Sequence, residues 1–256
     1  STYASGSFIE KGSIVLSKVE DTLGCHDLNQ PYLHKAVVLV LEHDAQEFTQ
    51  GIVLNRPTDL ILTDEDILYD GAPVVVDNAN DDVIDDDDDD GGEDSTSFTN
   101  AWNMQFGGDL AGLFDEERQA MICCLYKTNR TKNTNTNILH QNHADASDVV
   151  LQDLHVTSHA TACEMIKTGQ ADMQDFHAFY GFCGWEPGQL ERELKRGSWT
   201  MVTTTADTIW TRLWRQRLQH FDPREAGLSM WEYFTECISG DLSSNGRNTF
   251  SDLMLK

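Results

Sequence analysis

The chain has 256 residues, 39% of them hydrophobic, enough for one sizeable core with appendages. Lys and Arg number 18 against 43 Asp and Glu, a formal charge of -25, and ten of those acids fall between Asp81 and Asp94 with no base among them. Binding to phosphate backbones or anionic lipid needs clustered cations that release counterions, so this balance argues against direct nucleic-acid contact; it is compatible with a basic protein surface as partner, while by itself it reads as solubility.

In chain order, Ile14-Val15-Leu16 and Ala36 to Leu41 are continuous apolar runs with β-branched residues, read as strands buried on both faces, and Gly51 to Leu54 adds a third. Gly24 to Tyr32 reads as a loop or short helix, and Asp64 to Tyr69 as a short helix. From about residue 70 to 100 the chain is acidic and poor in large apolar side chains, which predicts a disordered surface insertion. Met121 to Tyr126 is the next strand, and the Asn- and Thr-rich Thr128 to Asn142 a loop. Val149-Val150-Leu151 and Leu154-His155-Val156 read as strands leading into a helix from His159 to Thr168, stopped by Gly169.

Gly181-Phe182-Cys183-Gly184-Trp185-Glu186-Pro187-Gly188-Gln189-Leu190-Glu191 follows, with Leu194 four residues after Leu190, then Gly197-Ser198-Trp199. Pro187 suits the first position of a helix, Gly197 its left-handed end, and a strand begins near Trp199. A helix from Thr208 to Phe221, capped by Asp207, carries Trp210 and Trp214, and another from Asp222 through Cys237 carries Trp231. Mixed strands and helices without regular alternation indicate an α+β fold. The division is a domain over 1-221 holding the acidic insertion, and a C-terminal helical extension over 222-256. No apolar run approaches the roughly 20 residues a membrane-spanning helix needs. The six cysteines form neither a C-x-x-C pair nor a disulfide framework and most read as buried, reduced and inert, Cys123 and Cys124 facing opposite ways in their strand.

The Gly181 to Trp199 stretch resembles the signature of the YqgE/AlgH family. Four further blocks resemble it in the same order: Lys11 to Ser17, His34 to Asp44, Gly51 to Pro57 with its Asn55-Arg56-Pro57, and Gln105-Phe106-Gly107-Gly108. The resemblance implies a bifurcated β-sheet with a small barrel-like portion, surrounded by helices. Ser198-Trp199 after Gly197, Ala206-Asp207 and the Trp214 helix resemble plastid members, which implies a plastid location in the stroma or peripherally on the thylakoid. The expected function is a non-enzymatic accessory protein, a peripheral subunit or assembly factor of a thylakoid complex such as a photosystem. One alternative is a small-anion sensor or hydrolase. Another, by analogy with a role proposed for a bacterial branch, is a transcription regulator acting through protein partners.

The residues best placed to hold an anion are Asn55, Arg56, Gly107, Gly108, Trp185 and Gln189, with Glu191 beside them. Arg56 would supply a planar cation, the glycines close backbone approach, and the helix starting at Pro187 its free N–H groups. The competing reading gives Asn55 and Pro57 to a turn, pairs Arg56 with Glu191 or Glu193, and packs Trp185 into the core. Asp109 follows the glycines, where an anion site would not want a carboxylate. Trp210, Trp214 and Trp231 are the candidate partner contacts, with core packing as the alternative. His140/His143 and His155/His159 have zinc-like spacings but straddle loops and element ends, so no metal and no cofactor is expected. No nucleophile elbow, Walker loop or dinucleotide fingerprint occurs, and no catalytic constellation emerges.

Overall fold

The computed structural model describes residues 2–6, 8–18, 31–63, 76–77, 101–110, 122–128, 147–218 and 223–239. Its strands are β1 (Tyr3–Ala4), β2 (Ile14–Ser17), β3 (Val37–His43), β4 (Thr49–Val53), β5 (Pro57–Thr63), β6 (Val76–Asp77) and β7 (Ala101–Phe106). Then come β8 (Ile122–Lys127), β9 (Ser147–Leu151), β10 (Leu154–Ser158), β11 (Phe176–Tyr180), β12 (Cys183–Trp185) and β13 (Trp199–Thr203). The helices are α1 (His159–Lys167), α2 (Gln189–Arg196), α3 (Ala206–Leu218) and α4 (Pro223–Ser239). The predicted helix over Asp64 to Tyr69, the loop holding His140 and His143, Cys25, and all but Val76–Asp77 of the acidic insertion lie outside the described residues.

The strands form two sheets, a six-stranded one ordered β1-β13-β2-β3-β4-β12 and a seven-stranded one ordered β6-β5-β7-β11-β8-β10-β9. All pairings are antiparallel except β7 with β11. The chain crosses from the first sheet to the second between β4 and β5, and back between β11 and β12. At that crossing the backbones are laced together. Val53 N–H donates to the Gly107 carbonyl at 2.8 Å, Phe106 N–H to the Arg56 carbonyl at 2.9 Å, and Gly107 N–H to the Tyr180 carbonyl at 2.6 Å. Leu110 and Phe182 exchange both of their backbone bonds at 3.0 and 3.1 Å. The result is the α+β fold with a forked sheet; among the described residues neither branch closes into a barrel.

Period-two alternation explains the core. Ile14 and Leu16, Val37, Leu39 and Leu41, Ile52 and Leu54, and Val202 point into the wedge between the sheets, where Cys123, Leu125, Leu154 and Phe179 of the second sheet meet them. Ala206, Ile209 and Leu213 of α3 with Met230 and Phe234 of α4 fill the same wedge. The intervening Val15, Val38, Val40, Val53 and Met201 point the other way, into a second core with Trp185, Trp199 and Leu190 of α2. A third core lies outside the second sheet, where Ile122, Cys124, Phe176 and Ala178 pack under Ala162 and Met165 of α1. The runs read as buried on both faces are so, and Cys123 and Cys124 do face different cores.

Three local expectations are corrected. The helix expected at Pro187 begins two residues later, because Gly188 adopts the left-handed conformation (φ 69°) and breaks the helical path there. Asp207 does not cap α3. The Thr205 hydroxyl accepts from Thr208 N–H at 3.3 Å in that role, while Asp207, inside the first turn, pairs with Lys127. That helix starts at Ala206, two residues before the expected Thr208, its described residues run to Leu218, and Gly197 closes α2 as expected.

Candidate functional site

Three residues of the signature corner converge on one buried carboxylate. Glu193, on α2, accepts from the indole N–H groups of Trp185 at 3.0 Å and Trp199 at 2.7 Å through one oxygen, and from the Gln189 side-chain amide at 2.8 Å through the other. Gln189 stands one helical turn before Glu193, so the two meet on one face. The indoles come from β12 and β13, which flank the helix in sequence, with their rings edge to face at 6.1 Å. The other end of the Gln189 amide accepts Glu186 N–H at 3.0 Å. A buried anion demands such donors, and three of them hold this one in place.

The six residues grouped as an anion site are thereby divided. Trp185 and Gln189 spend their donors on the chain's own carboxylate, which stands where an incoming anion would need to be. Glu191, the sequence candidate, makes none of these bonds; Glu193 does. It could have been found from its position four residues after Gln189 on the apolar side of α2.

Asn55 is fully buried and braces three segments, accepting Val37 N–H at 2.9 Å and donating to the carbonyls of Lys35 and Gly227, both at 2.8 Å. Replacing Asn55 with alanine orphans those backbone groups, and a loss of about 2–4 kcal/mol is expected in a denaturant melt. Arg56 does not pair with Glu191 or Glu193. Its guanidinium donates to the Asn55 carbonyl at 2.7 Å and to the His34 carbonyl, and partial burial lowers its pKa.

Gly107 and Gly108 serve the crossing between the sheets. A Cβ on Gly108 would lie 2.1 Å from the Phe182 carbonyl, and one on Gly181 (φ 75°) would lie 2.0 Å from the Gly108 carbonyl. Asp109 accepts the Tyr32 hydroxyl at 2.5 Å, and burial together with that bond pushes the Tyr32 phenol well above its ordinary range.

The three tryptophans proposed as partner contacts are all half-buried. Trp210 and Trp214 pack edge to face on His177 at 4.8 and 5.8 Å, and Trp231 donates to the Ser17 carbonyl at 2.8 Å beneath the Lys35 ammonium. Burial, with the charge of Arg217, lowers the His177 pKa to about 3, so this imidazole stays neutral inside the core. Burial likewise pushes the Cys123 and Cys183 thiols up to about 12. Such thiols are poor nucleophiles. No cluster of three or more metal-binding side chains occurs among the described residues.

Trp185 and Gln189 also form one wall of a surface groove of about 420 Å³. Leu110, Phe182, Cys183 and Gly184 line it too, with Phe48 and the adjacent β4 residues Thr49 and Gln50, and Glu47 and Glu186 are its exposed lining residues. The groove sits where β12 ends the first sheet. Its lining includes no Lys or Arg.

The AlgH-like family profile matches residues 115–225. A UPF0301 protein of Colwellia psychrerythraea is 28% identical over 187 residues, covering 70% of this chain and 77% of that protein. One from Idiomarina loihiensis is 23% identical over 207 residues, covering 80% and 88%. In structure the chain is similar to the AlgH protein from Pseudomonas aeruginosa, with a TM-score of 0.49 and 17% identity across 93% of this chain and 95% of that one.

Proposed function

This chain belongs to the YqgE/AlgH family, and on that footing we propose that it is a non-enzymatic accessory protein that docks on a protein partner in the plastid, as a peripheral subunit or assembly factor of a thylakoid complex such as a photosystem. The observation that carries this reading is the groove beside β12. It combines apolar walls with exposed carboxylates, and its one thiol, Cys183, is held protonated by burial. Such a surface suits recognition better than bond-making. A formal charge of -25 favours encounter with a basic partner. None of the described helices is long and apolar enough to cross a membrane, which suits a peripheral subunit. The plastid placement rests on Ser198-Trp199, Ala206-Asp207 and the Trp214 helix, which resemble plastid members.

Affinity capture from fractionated native thylakoids tests the proposal. The expected result is a stoichiometric protein partner in the membrane-associated fraction, released by high salt. Recovery of the protein free in every fraction, with nothing stably attached, would sink it.

A further inference from the structure

We infer that the groove takes an extended, basic segment of the partner protein as an added strand on the free edge of β12, paired through the backbone of Gly184. The inference rests on the docking reading above and adds to it the mode of binding and the chemistry of the bound segment. Among the described residues β12 is the last strand of its sheet, with β4 on one side and, beside its other edge, only the Leu110 bridge to Phe182. Phe182 turns both its N–H and its C=O away from β4, toward Leu110. Backbone groups alternate sides along an antiparallel strand, so those of Cys183 and Trp185 face β4 while those of Gly184 face outward, on the same edge as Phe182. A strand interior without a side chain is where another backbone approaches closely. Gly184 therefore offers a donor and an acceptor beside a groove whose walls, formed by Phe48, Leu110, Phe182 and Trp185, can receive alternate side chains of an extended peptide.

Charge selects the segment. Glu47 and Glu186 line the groove and are exposed, and neither has a cationic partner among the described residues. Arg192 comes as close as the Pro187 carbonyl, to which it donates at 3.4 Å. A peptide alternating apolar and cationic residues matches both features, its apolar side chains toward the walls and its Lys or Arg toward the rim.

The test titrates the intact protein with a short fluorescent peptide alternating lysine and valine, with its glutamate-valine counterpart, and with the lysine peptide N-methylated at alternate backbone nitrogens. Saturable binding is expected for the lysine peptide only, weakened about tenfold or more by N-methylation, by Gly184→Pro, and by the pair Glu47→Lys with Glu186→Lys. N-methylation probes backbone pairing without touching the protein, so the result does not depend on whether Gly184→Pro folds. Absence of saturable binding, equal binding of the glutamate or N-methylated peptide, or indifference to the charge reversal overturns the inference. If the charge-reversed protein still captures the same thylakoid partner as wild type, the docking reading stands and the groove loses its role; if neither protein captures one, the docking reading itself falls.

Discussion

Replacing Glu193 with alanine is expected to destabilise the protein by about 3–5 kcal/mol, since each buried donor left unsatisfied costs about 1–3 kcal/mol. The two indole N–H groups and the Gln189 amide lose their common acceptor together, and both indoles are buried. Glu193→Gln keeps one acceptor oxygen but sets an NH2 group against donors, and an intermediate loss of about 1–2 kcal/mol is expected. Equilibrium denaturant melts followed by tryptophan fluorescence read the effect, since Trp185 and Trp199 are themselves the reporters. In a double-mutant cycle, Trp199→Phe should cost less in the Glu193→Ala background than alone, because its N–H no longer has a partner to lose. A loss under about 1 kcal/mol for Glu193→Ala would show that the carboxylate is not what organises this corner.

Gly181→Ala is expected to be at least as damaging, by a different mechanism. Its new Cβ would sit 2.0 Å from the Gly108 carbonyl oxygen, and backbone cannot rotate aside as a side chain can. Left-handed conformation alone costs a non-glycine residue about 1–2 kcal/mol. Gly169 measures that part separately. It too is left-handed (φ 69°), but nothing lies within 4 Å of the Cβ an alanine would add there. Gly169→Ala should lose about 1 kcal/mol and Gly181→Ala more than about 3 kcal/mol. Thermal melts of the two variants side by side give the difference, and equal losses would mean that the crossing tolerates the clash by shifting.

The strands were legible because each central run is apolar at successive positions, and burial on both faces is what such runs require. The signature announced a strand, turn and helix for a similar reason: glycines and a regular leucine spacing describe backbone paths directly. The site was less legible because its bonds join residues far apart in the chain. Arg56 reaches the carbonyl of His34 and Asn55 that of Gly227, and a carbonyl has no residue type by which a sequence can advertise it. Glu193 was overshadowed by Glu191, two places away in a helix where only the phase tells the buried acid from the exposed one. Thr205 and Asp207 are both plausible caps by type, and the choice between them fell to where the strand before α3 ends. The groove has no motif at all. It arises where the end of one strand, a bend after another and the start of α2 meet, and only the fold brings them together.

The crossing has a consequence for how the molecule comes apart. Strands from both sheets run through it as continuous chain, and the wedge core draws residues from both sheets and two helices. Opening one branch of the fork exposes the inner face of the other, so neither half has a floor on which to survive alone. Such an arrangement favours a single cooperative transition over stepwise loss, and it leaves little scope for dividing the chain into working fragments. Length can change between β5 and β7 or after α4, outside the crossing; within it, a shift of one residue would exchange two cores at once.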